Sequence, residues 1–188
     1  MKKKRKWLPA ALFAVALLSL WTPGDKLSRL TVVQGVGFDY STEGVTVTVQ
    51  YLDLSKGTGK SDGIDGNITA AVSAHGADAE QAVKAVQAKL PEALYWSQCK
   101  LVVVGGSYQK TDLDSLCRLM QAQVKVRLNT AVMAAESAAA VLTEEQQETV
   151  VPAEAVYSLL EREGRVRTVN ELMAMYCQGG YSLIKWKD

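Results

Sequence analysis

The stretch Val45-Thr-Val-Thr-Val-Gln-Tyr51 alternates apolar and polar side chains without a break. Successive side chains of an extended chain point to opposite faces, so such a run belongs on a sheet with its valines turned to a core. It excludes an all-helical architecture and demands a partner strand. Leu30 to Phe38 supplies one, and Ser41-Thr-Glu-Gly44 between the two is a polar turn ending in glycine, so a hairpin is expected. Ile68, Ala70 and Val72 repeat the period of two and suggest a third strand. It follows a polar segment, Ser55 to Gly66, whose Gly57, Gly59, Gly63 and Gly66 read as a surface loop.

From Asp78 the period changes. Ala79, Ala82, Val83, Val86 and Leu90 line one helical face, Glu80 and Lys84 are spaced to pair, and Pro91 stops the helix. Cys99 to Val104 reads as a strand. Thr111-Asp-Leu-Asp114 has capping-box spacing ahead of Leu113, Leu116, Cys117 and Met120, which share a helical face. Leu128 to Ala134 reads as another strand, and Pro152 to Glu163 as a helix with proline in its first turn. Thr168-Val-Asn-Glu171 caps a last helix bearing Val169, Leu172, Met173 and Tyr176, and Gly179-Gly180 ends it. The 188 residues suit one ordinary domain with its own core. Strands clustered early and helices alternating with strands later place that domain in the α+β (mixed α/β) class: a central sheet with an N-terminal hairpin and helices packed on it. There is no internal repeat.

Ahead of this domain stands a different composition. Lys2, Lys3, Lys4, Arg5 and Lys6 directly precede an apolar run from Trp7 to Trp21, the layout of an export signal. Its apolar membrane-anchor positions are Trp7, Leu8, Leu12, Phe13, Val15, Leu17, Leu18, Leu20 and Trp21. The run is short against the roughly 20 apolar residues of a stable span. No small-x-small cleavage site stands out in Leu18 to Gly24, so a cleaved signal peptide and an uncleaved anchor, with Trp7 and Trp21 near the two interfaces, both stay open. The expected division is residues 1–24 as signal or anchor and residues 25–188 as a single α+β domain outside the cytoplasmic membrane.

The motifs that carry chemistry are few. Gly105-Gly106-Ser-Tyr-Gln-Lys-Thr111 follows a strand and precedes a helix, as a phosphate-binding turn does, but no glycine precedes the Lys-Thr and the spacing is too short. A third glycine for a dinucleotide fingerprint is missing as well. Gly35-Val-Gly37 lies within a strand and runs into Asp39 and a hairpin, without a helix N-terminus to receive an anion. No nucleotide and no cofactor are expected. With 21 basic and 20 acidic residues there is no field to steer nucleic acid. His75, the one histidine, falls between a strand end and a helix start without a neighbouring nucleophile. No His, Cys and carboxylate cluster has metal spacing. Cys99, Cys117 and Cys177 each fit an apolar position, and three thiols leave at least one unpaired in an oxidising setting. Glu144, Glu145 and Glu148 read as a solvated link between helices.

Several segments together resemble a known family. Leu90-Pro-Glu-Ala-Leu-Tyr-Trp-Ser-Gln-Cys-Lys-Leu-Val-Val-Val-Gly105 is similar to the part of the GerAC-type spore germination proteins in which a Leu-Pro run with aromatic residues leads into an apolar strand ending in glycine. Val126-Arg-Leu-Asn-Thr-Ala-Val-Met-Ala-Ala135 resembles the family's Arg-Leu-Asn strand. Leu30 to Asp39 resembles its first strand, with a Gly-x-Gly-x-Asp ending, and Thr168 to Leu172 matches its late helix more loosely. The resemblance implies a non-enzymatic, exported subunit of a germinant receptor at the outer face of the spore inner membrane, beside multi-spanning membrane partners. It also implies that the glycine turn is sheet scaffold. Two features depart from the family pattern: the lipobox Gly-Cys is absent before Trp21, so no diacylglyceryl group is expected there, and the family pattern continues into further sheet-bearing domains beyond the length present here. Tyr95 and Trp96, aromatics at a helix-to-strand junction, are the candidate partner surface, with core packing as the competing role. Outside this family the readings are a membrane-tethered extracytoplasmic small-ligand or protein binding module, and an exported hydrolase joining Ser97 to His75.

Overall fold

The computed structural model describes residues 30–53, 69–143 and 151–178, with 183 and 185. The anchor positions Trp7 to Trp21, the glycine-rich segment Ser55 to Gly66, the acidic run Glu144 to Glu148 and Gly179-Gly180 lie outside the described residues. The chain divides into a unit Met1–Leu30 and a unit Thr31–Asp188. The second unit carries the sheet and its helices, and Leu30 heads its first strand.

Strands β1 (Leu30–Ser41), β2 (Gly44–Leu52) and β3 (Thr69–Gly76) are followed by helix α1 (Ala79–Lys89), the short β4 (Ala93–Tyr95) and a 3-10 turn, Trp96–Gln98. Then come β5 (Leu101–Gly106), α2 (Lys110–Leu119) with a π-helical continuation Met120–Val124, β6 (Ala131–Ala134), α3 (Ala138–Thr143), α4 (Pro152–Arg162) and α5 (Val169–Cys177). The sheet order is β3-β2-β1-β5-β6, with β4 pairing onto β1. The hairpin and β3 pair antiparallel, whereas β1-β5 and β5-β6 are parallel. The fold is thus mixed α+β around a central mixed sheet, with five α-helices among the described residues.

The alternation read from Val45 to Tyr51 has its physical cause here. Val45, Val47 and Val49 join Val36 and Phe38 of β1 in a core closed by Ala82, Val83 and Val86 of α1, Leu113, Leu116 and Cys117 of α2, and Val169 and Leu172 of α5. The opposite sheet face carries a second core, in which Leu101, Val103, Ala131 and Met133 meet Val141 and Leu142 of α3 and Val156 and Leu160 of α4. Helices therefore cover both faces of β5 and β6. That double cover is why Leu101-Val-Val-Val104 shows no alternation, as parallel strands buried on both sides do not. Toward β3 the cover stops, and Ala71, Ser73 and His75 are exposed.

Local signals place most elements. Asp78 caps α1, its Oδ1 accepting from Gln81 N at 2.8 Å, and Lys84 reaches Glu80 at 2.7 Å. Thr168 and Glu171 form the expected reciprocal box at α5, at 2.8 and 3.3 Å. At α2 the box lies two residues earlier than Thr111–Asp114: the helix begins at Lys110, Gln109 is the cap, and Asp112 accepts from Gln109 N at 2.7 Å. Strand β5 starts after Cys99, because the Cys99 amide closes the 3-10 turn onto Trp96 O at 2.9 Å. Strand β6 starts at Ala131 rather than Leu128. Thr130 N donates back to Arg127 O at 3.0 Å, so Arg127 to Thr130 is a turn and Leu128 is 56% exposed.

Candidate functional site

The Gly-x-Gly-x-Asp ending of β1 is a lane for two helices. A Cβ on Gly35 would lie 2.7 Å from Ala153 Cβ and 2.7 Å from Leu142 Cδ2, and one on Gly37 would lie 2.7 Å from Ala138 Cβ. The glycines let α3 and α4 sit directly on the strand. Asp39 then meets the start of α3, where its Oδ1 accepts from Ala138 N at 2.7 Å and its Oδ2 from Ala139 N at 2.9 Å. Ser137 Oγ accepts from Ala140 N at 3.2 Å, so three otherwise orphaned amides of this short helix have partners. Nothing in the residues around Gly35-Val-Gly37 signals a helix N-terminus close by. One is present, and the anion it receives is the protein's own Asp39.

Gly105 completes this arrangement. A Cβ there would come 2.0 Å from Asp39 Oδ1 and 2.6 Å from Ala138 N. Gly106, with φ of 70°, turns the chain over Tyr40, and its amide donates to Glu136 O at 3.1 Å. The amides that begin α2 turn to Gln109 and Asp112 instead. The paired glycines thus make room for a carboxylate already in place, and the turn is not shaped around a phosphate.

A second region lies at the other end of the sheet, where β5 and β6 begin. Tyr95 ends β4 and is 38% exposed, while Trp96 is half-buried and packs on the first core. Trp96 thus takes the packing role, and Tyr95 is left at the surface. Beyond the 3-10 turn, Lys100 N bonds Gln34 O at 2.8 Å, and Lys100 O receives Ala131 N at 3.0 Å. Thr130 Oγ1 donates to Cys99 O at 3.0 Å. These bonds set Arg127-Leu-Asn129 beside Ser97-Gln-Cys-Lys100, around a cleft of about 180 Å³ that Tyr157 also lines. Lys100 is ion-paired to Glu154 of α4. Tyr95 and Leu128 are the exposed large apolar side chains of the described residues, and both belong to this end. Leu128 was missed in the sequence because an apolar residue just ahead of a strand reads as part of it; its placement between Arg127 and Asn129 was the one available sign of a turn.

The hydrolase pair is not assembled. His75 lies within β3, not beyond it, with Nδ1 at 3.3 Å from Thr46 Oγ1 near the hairpin turn. Ser97 precedes β5, at the opposite end of the sheet. Among the described residues no group of His, Cys, Asp and Glu could hold a metal, and no helix is long and apolar enough to cross a membrane. Burial pushes the Cys99 thiol up to about 12 and the Cys117 thiol up to about 11, so neither is an activated nucleophile. A further cleft of about 360 Å³ between α1 and α2 is lined by Asp78, Glu80, Arg118 and Gln123. Its two carboxylates are engaged with Gln81 and Lys84.

A domain with a helix-covered mixed sheet, an internally capped glycine strand and an aromatic, cationic end is the class these features define. The family described as the spore germination protein N-terminal domain matches residues 25–180, and the chain belongs to it. Membership gives the chain a germination-related role. No curated protein and no solved structure matches the chain.

Proposed function

We propose that the chain is a non-enzymatic subunit of a spore germinant receptor, carried to the outer face of the spore inner membrane by residues 1–24, with residues 25–188 as one domain that meets multi-spanning partners. The family match over residues 25–180 carries this reading. Two features support it: Ser97 and His75 lie at opposite sheet ends, and the two conspicuous glycine motifs serve packing rather than a ligand. Tyr95 at the end of β4, with Arg127 and Leu128 ahead of β6, is the partner surface in this reading, since exposed tyrosine and arginine are residue types enriched at interface hot spots.

The test is affinity capture of the tagged full chain from detergent-solubilised spore membranes of its host, with mass spectrometry of its companions and of its own N-terminus. Recovery with two multi-spanning proteins and an intact Lys2 to Trp21 is the expected result. Recovery alone, from the soluble fraction, would overturn the receptor reading. The cleft between α1 and α2 favours a second reading, a tethered small-ligand binding module, since its volume of about 360 Å³ reaches the range of small-molecule sites. Saturable heat from a small ligand that Arg118→Ala abolishes would establish it.

A further inference from the structure

Helices α2 and α5 pack over the same core, and one contact sets their register: Gln121 Nε2 donates to Met173 Sδ at 3.4 Å. Gln121 stands on the π-helical continuation of α2, and Cys117, four residues earlier, is in the last turns of α2 itself; four residues forward along α5 from Met173 is Cys177. Residues four apart share a helix face, so antiparallel packing brings these two cysteines opposite each other. The direction of the Cys117 shift agrees with this placement: burial raises the thiol most, and the charges of Asp114 and then Cys177 add to it. The contrast with Cys99 is plain, since that thiol is buried with its Sγ on Leu101 O at 3.3 Å. Both Cys117 and Cys177 are free thiols in this structure, the first buried and the second exposed.

We propose that Cys117 and Cys177 form a disulfide pair that locks the end of α5 onto α2, leaving Cys99 as a permanently reduced core residue. The oxidant is a disulfide, either small-molecule or protein-borne. The exposed Cys177 thiolate attacks it, forming a mixed disulfide and releasing one thiol; the Cys117 thiol then attacks Cys177 Sγ, its proton passing to the second thiolate as that leaves. Two electrons pass from the pair to the oxidant, which leaves as two thiols. The link would join residues with 59 positions between them in sequence, closing the domain from α2 to α5. Occupancy of the bond in the cell rests on the extracytoplasmic reading above, where disulfides persist. The pairing itself does not, so it can be tested apart from export.

The experiment incubates the purified full chain in detergent with oxidised glutathione, blocks remaining thiols with an alkylating reagent, and maps peptides by mass spectrometry without reduction. An intramolecular Cys117–Cys177 peptide with Cys99 free is expected, and Cys99→Ser should keep the link while Cys177→Ser abolishes it. If Cys177 ends only as a glutathione adduct or as a link between two chains, with Cys117 alkylated upon unfolding, the pairing is wrong. The wild-type map decides this even if a variant fails to fold. Neither result bears on whether the chain is exported.

Discussion

Asp39 Oδ1 accepts a hydrogen bond from Ala138 N at 2.7 Å, joining residues 99 positions apart in sequence. The carboxylate at the end of β1 is therefore the N-terminal cap of α3, and Gly105 on the neighbouring strand leaves the space it occupies. Asp39→Ala is expected to cost about 1 to 3 kcal/mol, because it strands two partly buried amides. Gly105→Ala should cost a comparable amount by pressing a methyl group into Asp39. The two losses should not add: once the carboxylate is gone, the added methyl loses one of its two clashes. Urea unfolding of the two single variants and the double variant measures this coupling, and strict additivity would mean that Gly105 is kept for another reason.

Gln50 extends the same logic to the other end of α3. It is 1% exposed; its Nε2 donates to Leu142 O at 3.0 Å and its Oε1 accepts from Ala153 N at 3.0 Å. One amide side chain thus holds the last turn of α3 and the first of α4. Gln50→Ala should cost about 2 to 4 kcal/mol, since a buried carbonyl and a buried amide both lose their partners. Gln50→Glu should cost more, because a carboxylate can accept from Ala153 but has no hydrogen for Leu142 O. A denaturation series in which Glu is tolerated better than Ala would refute this account.

These two side chains also mark where the sequence stops being legible. The hairpin, α1 and α5 could be read because their signals are local: alternation in Val45 to Tyr51, and cap residues within one turn of Asp78 and Thr168. Helix α3 could not, because it has only six residues and takes its cap from Asp39 on a distant strand. The glycines of β1 were visible as a motif, yet their purpose depends on Ala138, Leu142 and Ala153, which only the fold brings to them. The same holds for the surface. Tyr95 and Trp96 looked alike in sequence, and it is the packing of Trp96 onto the first core that separates them.

That separation can be measured. Tyr95→Ala and Arg127→Glu alter exposed side chains and should change the stability of the chain by no more than about 0.5 kcal/mol. Both are expected to reduce recovery of the multi-spanning partners several-fold in the membrane capture. Trp96→Ala should instead lower stability by about 1 to 3 kcal/mol through lost packing. If Tyr95→Ala and Arg127→Glu leave partner recovery unchanged, the contact surface lies elsewhere on the domain.

Tyr40 offers the sharpest test of the first core. Its ring is 7% exposed and its hydroxyl has no hydrogen-bond partner among the described residues. Tyr40→Phe removes an unsatisfied polar atom, so the variant should be as stable as the wild type at neutral pH or more stable by about 1 kcal/mol. Burial, with Asp112 and Cys117 adding to it, raises the phenol well above its ordinary 10.0. The unfolded chain then ionises first as pH rises, and the neutral form favours the folded state. The stability tied to this group is whole below about pH 10 and is lost above it, by about 1.4 kcal/mol per pH unit until the folded-state value is reached. The variant lacks the phenol and escapes this loss, although other groups titrate equally in both proteins. Urea unfolding at about pH 8 and about pH 11 should therefore show the gap widening in favour of Tyr40→Phe. A gap that stays constant would mean that Tyr40 ionises as freely in the folded chain as in the unfolded one, and that the hydroxyl is not enclosed.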